Sequence, residues 1–107
     1  MQGNPYGSPM FVQVLFVEGC PNVDLALARL SRAASEAGVT IKVDRRTVGD
    51  EAEAKALGMR GSPTILIDGI DVTTEEASGS LSCRLYRAGG RIDGAPSLDE
   101  LVAALSR

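Results

Sequence analysis

The sequence predicts an α/β domain built on one mixed β-sheet with helices on both faces. Short apolar segments typical of strands alternate with longer segments of helical period, and the last two strands are joined by a tight turn. Strand–helix–strand alternation implies a parallel pair, and a hairpin adds antiparallel strands. The expected order is βαβ followed by αββα. A chain of 107 residues is long enough for one such domain and too short for two.

The first three elements follow from apolar spacing. Residues 11–17 form a nearly continuous apolar segment, as expected of a strand buried on both faces. Across residues 23–37, apolar side chains recur every three or four positions, which predicts an amphipathic helix that Gly38 ends. Pro21 is a favourable first helical residue. Residues 39–43 alternate apolar and polar side chains, and this pattern predicts a half-buried strand.

Caps and turns predict the next elements. Asp50, with Glu53 three residues later, predicts the start of a short helix through a pair similar to a capping box. The Asp68-Gly69 dipeptide predicts a two-residue hairpin turn between strands at 64–67 and 70–72.

The end of the chain combines a predicted helix with an insertion. Ser97 is expected to cap the last helix. Residues 73–94 have no clear period and separate the hairpin from that helix. One interpretation places an extra strand within these residues, with Leu81, Cys83 and Leu85 on its buried face.

Composition excludes several functions. The net charge of −3 without a basic stripe argues against nucleic-acid binding. The complete absence of histidine excludes Ser-His-Asp triads, Cys-His pairs and histidine-ligated zinc. Two small groups of basic side chains are expected to be scattered surface charge, and they are Lys42, Arg45 and Arg46, and then Arg84, Arg87 and Arg91.

The chain start and its apolar segments indicate where the protein acts. Residues 1–9 are rich in Gly, Pro, Asn and Ser and are expected to form a disordered tail, so the domain spans 10–107. They lack the pattern of a signal peptide, and no apolar segment is long enough to cross a bilayer. We therefore expect a cytoplasmic protein without a membrane partner, in a compartment that keeps thiols reduced.

Three segments resemble the thioredoxin-like superfamily: Val-Glu-Gly-Cys-Pro at 17–21, Gly-Ser-Pro-Thr at 61–64 and Gly-Ala-Pro-Ser at 94–97. With Ser-Cys-Arg-Leu-Tyr at 82–86, they are similar to a small bacterial thioredoxin-fold group sometimes labelled alkylmercury-lyase-like. The resemblance implies a three-layer thioredoxin-like fold with an insertion before the last helix. It also implies a cis bond before Pro63.

The resemblance implies a site at Cys20, between the first strand and first helix. The helix start would favour the thiolate there, although Glu18 and Asp24 would oppose it. A dithiol thioredoxin has a second cysteine three residues later, but this chain has Val23. Ordinary CxxC disulfide chemistry is therefore excluded within the motif.

The expected site contains two catalytic candidates and a binding edge. Cys83 could resolve an adduct on Cys20, and Arg84 beside it could favour its thiolate. Tyr86 could place its hydroxyl near the thiols, but we expect it to cover the sheet. The residues expected to bind an extended peptide or a small thiol are Pro21, Ser62, Pro63 and Thr64.

Three functions remain open at this stage. The first is thiol–disulfide exchange at Cys20 on a protein or small-molecule substrate, without a cofactor or resident metal. The second is a binding or structural module with inert, buried cysteines. The third is soft-metal or organomercurial handling by two converging thiolates. The oligomeric state does not follow from the sequence.

Overall fold

The computed structural model describes residues 9–73, 81, 84–88 and 91–106, so residues 1–8 of the expected tail lie outside this part. The elements are β1 (Met10–Phe16), α1 (Val23–Ala37), β2 (Ile41–Thr47), α2 (Glu51–Leu57), β3 (Thr64–Ile67), β4 (Ile70–Asp71), β5 (Tyr86–Ala88), β6 (Arg91–Asp93) and α3 (Leu98–Leu105).

The main sheet has the strand order β2-β1-β3-β4. β1 pairs parallel with β2 and antiparallel with β3, which in turn pairs antiparallel with β4. The structure therefore confirms a mixed α/β fold with the predicted element order. It adds one feature inside the long connection, because β5 and β6 form a separate antiparallel pair.

Apolar side chains pack on both faces of the sheet. On one face, alternate residues of β1 and β3 pack against α1 and α3, which also contact each other. On the other face, Leu15 and Leu66 pack with Val48, Ala54 of α2 and Met59. This alternation follows from the opposite directions of successive strand side chains, and it explains why β1 is apolar almost throughout.

Helix α1 has the predicted bounds, 23–37, but Pro21 is not its first residue. Its first residue is Val23, and Pro21 lies in the preceding turn instead of at the first helical position. The most buried side chains of α1 include Ala26 and Ala33, which sit beside the predicted apolar stripe. Small side chains at these positions allow close approach of the helix to the sheet.

Strand β2 was predicted to be half-buried, but it is almost entirely exposed. Only Ile41 is partly buried, and the other six residues are exposed, including Val43 at 36%. The reason is its position: β2 is an edge strand. Periodicity alone does not distinguish an edge strand from an inner one, because both alternate.

The predicted caps and turn are confirmed. The Asp50 side chain accepts a hydrogen bond from Glu53 N–H, while the Glu53 carboxylate accepts one from Gly49 N–H. Asp68 and Gly69 both have positive φ angles, 52° and 83°, as a type I′ hairpin turn requires. At α3, Ser97 forms a full capping box. Among the described residues, no helix has the length and apolarity needed to span a membrane.

Candidate functional site

Cys20 ends a tight turn at the carboxyl end of the central strand β1. Its N–H donates to the Val17 carbonyl at 3.1 Å, and Gly19 adopts a φ of 79° within that turn. A positive φ at the third position of a turn favours glycine. Cys20 is half-buried, whereas Glu18 and Pro21 in the same turn region are exposed.

The start of α1 does not lie directly at Cys20. Asn22 occupies the N-cap position, and its side chain forms no capping hydrogen bond. The electrostatic effect of a helix falls off within its first turn. Cys20 precedes the N-cap by two residues and therefore lies outside this first turn.

The loop before β3 is tied directly to the cysteine turn. The Ser62–Pro63 peptide bond is cis, as the resemblance implies. Ser62 Oγ accepts a hydrogen bond of 3.1 Å from Val17 N–H. Val17 therefore bonds to both Cys20 and Ser62, and the two sequence-predicted segments meet at one end of β1.

The side chains expected to bind substrate are fully buried in this loop. Ser62, Pro63 and Thr64 have essentially no exposed surface. Thr64 Oγ1 accepts a hydrogen bond from Arg60 N–H and donates one to the Gly61 carbonyl. Only backbone groups of this loop therefore remain as candidates for substrate contact.

The chain's own residues 84–86 run along this loop. Arg84 N–H donates to the Ser62 carbonyl at 2.9 Å, and the Tyr86 hydroxyl donates to the Pro63 carbonyl. The resemblance predicts that Ser62, Pro63 and Thr64 bind an extended peptide or a small thiol. Two of the loop's carbonyls are instead bonded within the molecule.

Arg84 is not the surface charge that the sequence predicts. Its side chain is 1% exposed, and its Nη1 donates to Asp71 Oδ2 at 2.8 Å. Its guanidinium carbon lies 4.8 Å from the centroid of the Tyr86 ring. A buried arginine needs such partners, because a charge without them is strongly destabilised in a low-dielectric interior.

The burial predicted for the insertion fails at Leu85, whereas Leu81 is partly buried against the core cluster on the α2 face. Leu85 is 56% exposed, whereas Arg84 and Tyr86 on either side are buried. The interpretation with Leu85 on a buried face is therefore wrong. Hydrophobicity favours burial of Leu85 over burial of Arg84 and Tyr86. The opposite is observed because the ion pair of Arg84 and the hydrogen bond of the Tyr86 hydroxyl stabilise these two polar side chains in the interior.

Burial sets the ionisation of Tyr86. Its low exposure raises the pKa of the hydroxyl well above the ordinary value of 10.0, and Asp71 adds to this increase. The hydroxyl therefore stays protonated and donates at neutral pH. Tyr86 contacts the loop before β3 through this hydroxyl, and the expectation that it covers the sheet stays a prediction.

A second loop reaches the start of α1 and was missed by sequence reasoning. Arg29 of α1 donates to Asp93 Oδ2 at 2.7 Å and also to the backbone carbonyls of Ala95 and Pro96. Gly94 is so close to the Asn22 side chain that an added Cβ would lie 2.3 Å from its Cγ. The long connection therefore returns to the cysteine end of the sheet.

Cys83 lies outside the described residues. Its role as a second thiol therefore stays a prediction. Of the residues near it in sequence, Leu81 packs against the core cluster on the α2 face. Arg84, which follows it, is bonded to Ser62.

No family model, curated protein or solved structure matches the chain. Within the described ranges, no three Cys, Asp or Glu side chains are grouped so that they could hold a metal ion.

Proposed function

We propose that the chain is a thioredoxin-like protein that carries out thiol–disulfide exchange at Cys20 in the cytoplasm. The strand order β2-β1-β3-β4 and the cis bond before β3 support the fold assignment. The observation that carries the functional proposal is the hydrogen bond between Val17 N–H and Ser62 Oγ. It joins the turn of a half-buried cysteine to the loop before β3.

The exchange needs no cofactor. The Cys20 thiolate attacks one sulfur of a disulfide, forms a mixed disulfide with it and releases the other sulfur as a thiolate. A second thiol, from Cys83 or a small thiol of the glutathione class, then attacks the mixed disulfide. If Cys83 attacks the Cys20 sulfur, a Cys20–Cys83 disulfide forms and the remaining substrate sulfur leaves as a thiolate. If a small thiol attacks the substrate sulfur instead, Cys20 leaves as a thiolate and the new disulfide joins the substrate sulfur to the small thiol.

The contacts of residues 84–86 favour a small disulfide over an extended peptide. An extended peptide substrate would pair with backbone groups of the loop before β3. The Ser62 carbonyl already accepts Arg84 N–H, and the Pro63 carbonyl already accepts the Tyr86 hydroxyl. A small disulfide needs only access to the thiol of Cys20, a residue that is half-buried and not fully enclosed.

The test is a titration of the native protein with graded mixtures of reduced and oxidised glutathione. Intact mass and peptide mapping follow each thiol. We expect a glutathione adduct on Cys20 in the folded state, and none at that position in Cys20→Ser. If Cys83 resolves the adduct, Cys83→Ser accumulates the mixed disulfide.

One result would contradict the proposal, and another would remove only the role of Cys83. If neither thiol reacts until denaturant unfolds the chain, the cysteines are inert core residues and the structural-module alternative holds. If Cys83→Ser turns over like the unmodified chain, Cys83 is not the resolving thiol, although exchange at Cys20 stands. The soft-metal alternative needs both thiols and remains a prediction that metal titration of the same variants tests.

A further inference from the structure

Strand β2 presents the longer open edge of the main sheet. It spans seven residues, and no described strand pairs with its outer side. The opposite edge is β4, which has only two residues. A long exposed edge has free backbone donors and acceptors and is a template for another strand. β2 is therefore the place where a further strand would pair.

The hydrogen bonds at the ends of the β1–β2 pair fix which groups point outward. Met10 N–H donates to the Thr40 carbonyl, and Val48 N–H donates to the Phe16 carbonyl. In a parallel ladder, alternate residues of one strand bond to the same neighbour. Even-numbered residues of β2 therefore bond to β1, and odd-numbered residues direct their N–H and C=O groups outward. Val43 is the central residue of this outward set.

The side chains of β2 complement those of a second copy in one antiparallel register. With Val43 opposite Val43 of the second copy, Lys42 lies opposite Asp44 of that copy, and Asp44 lies opposite its Lys42. Each Val43 then exchanges both backbone hydrogen bonds with its counterpart, as its outward groups require. Both charged side chains are exposed. Opposite charges directly across a strand pair stabilise it.

The neighbouring registers are less favourable. A shift that centres the pair on Asp44 places two aspartates opposite each other and Lys42 opposite Arg46. A shift that centres it on Arg45 places Asp44 opposite Arg46, but it also places two arginines opposite each other at the centre. Like charges directly opposite are destabilising. Of these three registers, only the Val43-centred pair has opposite charges and an apolar centre.

We propose that β2 pairs antiparallel with β2 of a second copy of this chain, centred on Val43. The pair joins two four-stranded sheets into one continuous sheet. Edge pairing buries a small area, so the dimer belongs to the weak, concentration-dependent class of interfaces. The edge lies away from β3 and the loop before it, so this proposal is independent of the thiol chemistry.

Charge reversal tests the register. Lys42→Asp makes both charged edge positions acidic, and Asp44→Lys makes both basic. We expect each variant alone to dimerise at least about tenfold more weakly than the unmodified chain, because its facing charges repel. An equimolar mixture of the two is expected to form a heterodimer, since opposite charges then face each other. Sedimentation equilibrium from about 10 μM to about 1 mM covers the weak range.

A matched control isolates the edge from net charge. Lys55→Asp makes the same charge change on α2 and is expected to leave dimerisation unchanged. A reducing buffer prevents disulfide-linked dimers. A chain that stays monomeric up to the highest concentration overturns the proposal. A dimer that persists in both single variants, or a mixture that fails to associate, overturns it as well.

Hydrogen exchange provides a second measurement that does not depend on charge variants. Val43 and Arg45 N–H groups point outward and are expected to exchange fast at low protein concentration and more slowly as the dimer forms. Lys42 and Asp44 N–H groups bond to β1 and serve as the internal reference. Slow exchange of Val43 at every concentration means that the chain itself covers this edge, and this result overturns the proposal.

Discussion

At the scale of single residues, Tyr86 and Arg84 contribute what hydrophobic patterning could not predict. Arg84 is buried because Asp71 and the Tyr86 ring contact it. Asp71 is distant from Arg84 in the sequence, and a hydrophobicity pattern does not predict burial of a polar ring such as Tyr86. By contrast, the cis bond before Pro63 followed from the resemblance of one short segment. Local motifs were thus predictable, whereas a buried ion pair depends on tertiary neighbours that no local pattern specifies.

The Tyr86 hydroxyl makes stability depend on alkaline pH. Its pKa is raised in the folded state, so the protonated form contributes stability that is present below the unfolded value of about 10 and lost above it. Tyr86→Phe removes the hydrogen bond to the Pro63 carbonyl and is expected to cost about 1 kcal/mol at neutral pH. Tyr86→Phe also removes the ionisable hydroxyl, and with it this dependence of stability on alkaline pH.

Urea unfolding from neutral pH to above pH 10 measures both effects. We expect the stability deficit of Tyr86→Phe to shrink as the pH rises through about 10, because only the unmodified chain loses the tyrosine contribution. A deficit that stays constant across this range would show that the hydroxyl ionises equally in the folded and unfolded states.

At the scale of elements, caps and turns were predictable and strand burial was not. Asp50, Ser97 and the Asp68-Gly69 turn act through neighbouring backbone groups, so the sequence around them is sufficient. The exposure of β2 depends on the strand order, and the exposure of Leu85 depends on Asp71. Short-range chemistry can be predicted from short sequence segments, whereas sheet position cannot.

Docking of residues 84–86 depends on the Arg84–Asp71 ion pair. Removing one member of a buried pair leaves the other charge uncompensated, at a cost of about 3 to 5 kcal/mol. We expect Arg84→Met to destabilise the chain by about this amount, and Arg84→Met with Asp71→Asn to recover part of it. Arg60→Met, at an exposed position, is expected to change stability by less than about 0.5 kcal/mol.

Urea denaturation of the unmodified chain, Arg84→Met, Asp71→Asn and the double variant gives the coupling energy of the pair. A double variant no more stable than Arg84→Met would indicate that the guanidinium acts through the Tyr86 ring and not through Asp71.

The reaction rates of Cys20 with a peptide disulfide and with a small disulfide are informative in the same variants. If residues 84–86 exclude large substrates from the loop before β3, loosening them raises the rate with a peptide disulfide more than the rate with a small one.

At the scale of the whole molecule, the sheet topology brings three distant segments to one end of β1. The cysteine turn, the loop before β3 and the connection before α3 meet through Ser62, Arg84 and Gly94. The first two were predictable as a meeting point from the expected element order and the resemblance. For the connection before α3, only the end of the sheet to which it returns was predictable. The Arg29 and Asn22 contacts that fix its position join residues more than sixty positions apart.

The charge of the molecule predicts which small disulfides react fastest at Cys20. The net charge is −3, and the carboxylates of Glu18 and Asp24 are exposed near the cysteine in sequence. Such a field raises the local concentration of cations and lowers that of anions. We therefore expect cystamine, a dication, to react faster than oxidised glutathione, an anion, after each rate is divided by that of a free cysteine peptide.

Stopped-flow or mass-spectrometric rates for the two disulfides test the origin of this preference. Glu18→Gln with Asp24→Asn is expected to lower the cystamine preference by roughly threefold, and added salt is expected to lower it in the unmodified chain. Glu36→Gln is the matched control, because that exposed carboxylate lies in the last turn of α1, at the helix end remote from Cys20. If the double variant keeps the full preference, the carboxylates beside Cys20 do not set it. The selectivity would then arise from contacts of the disulfide with the loop before β3.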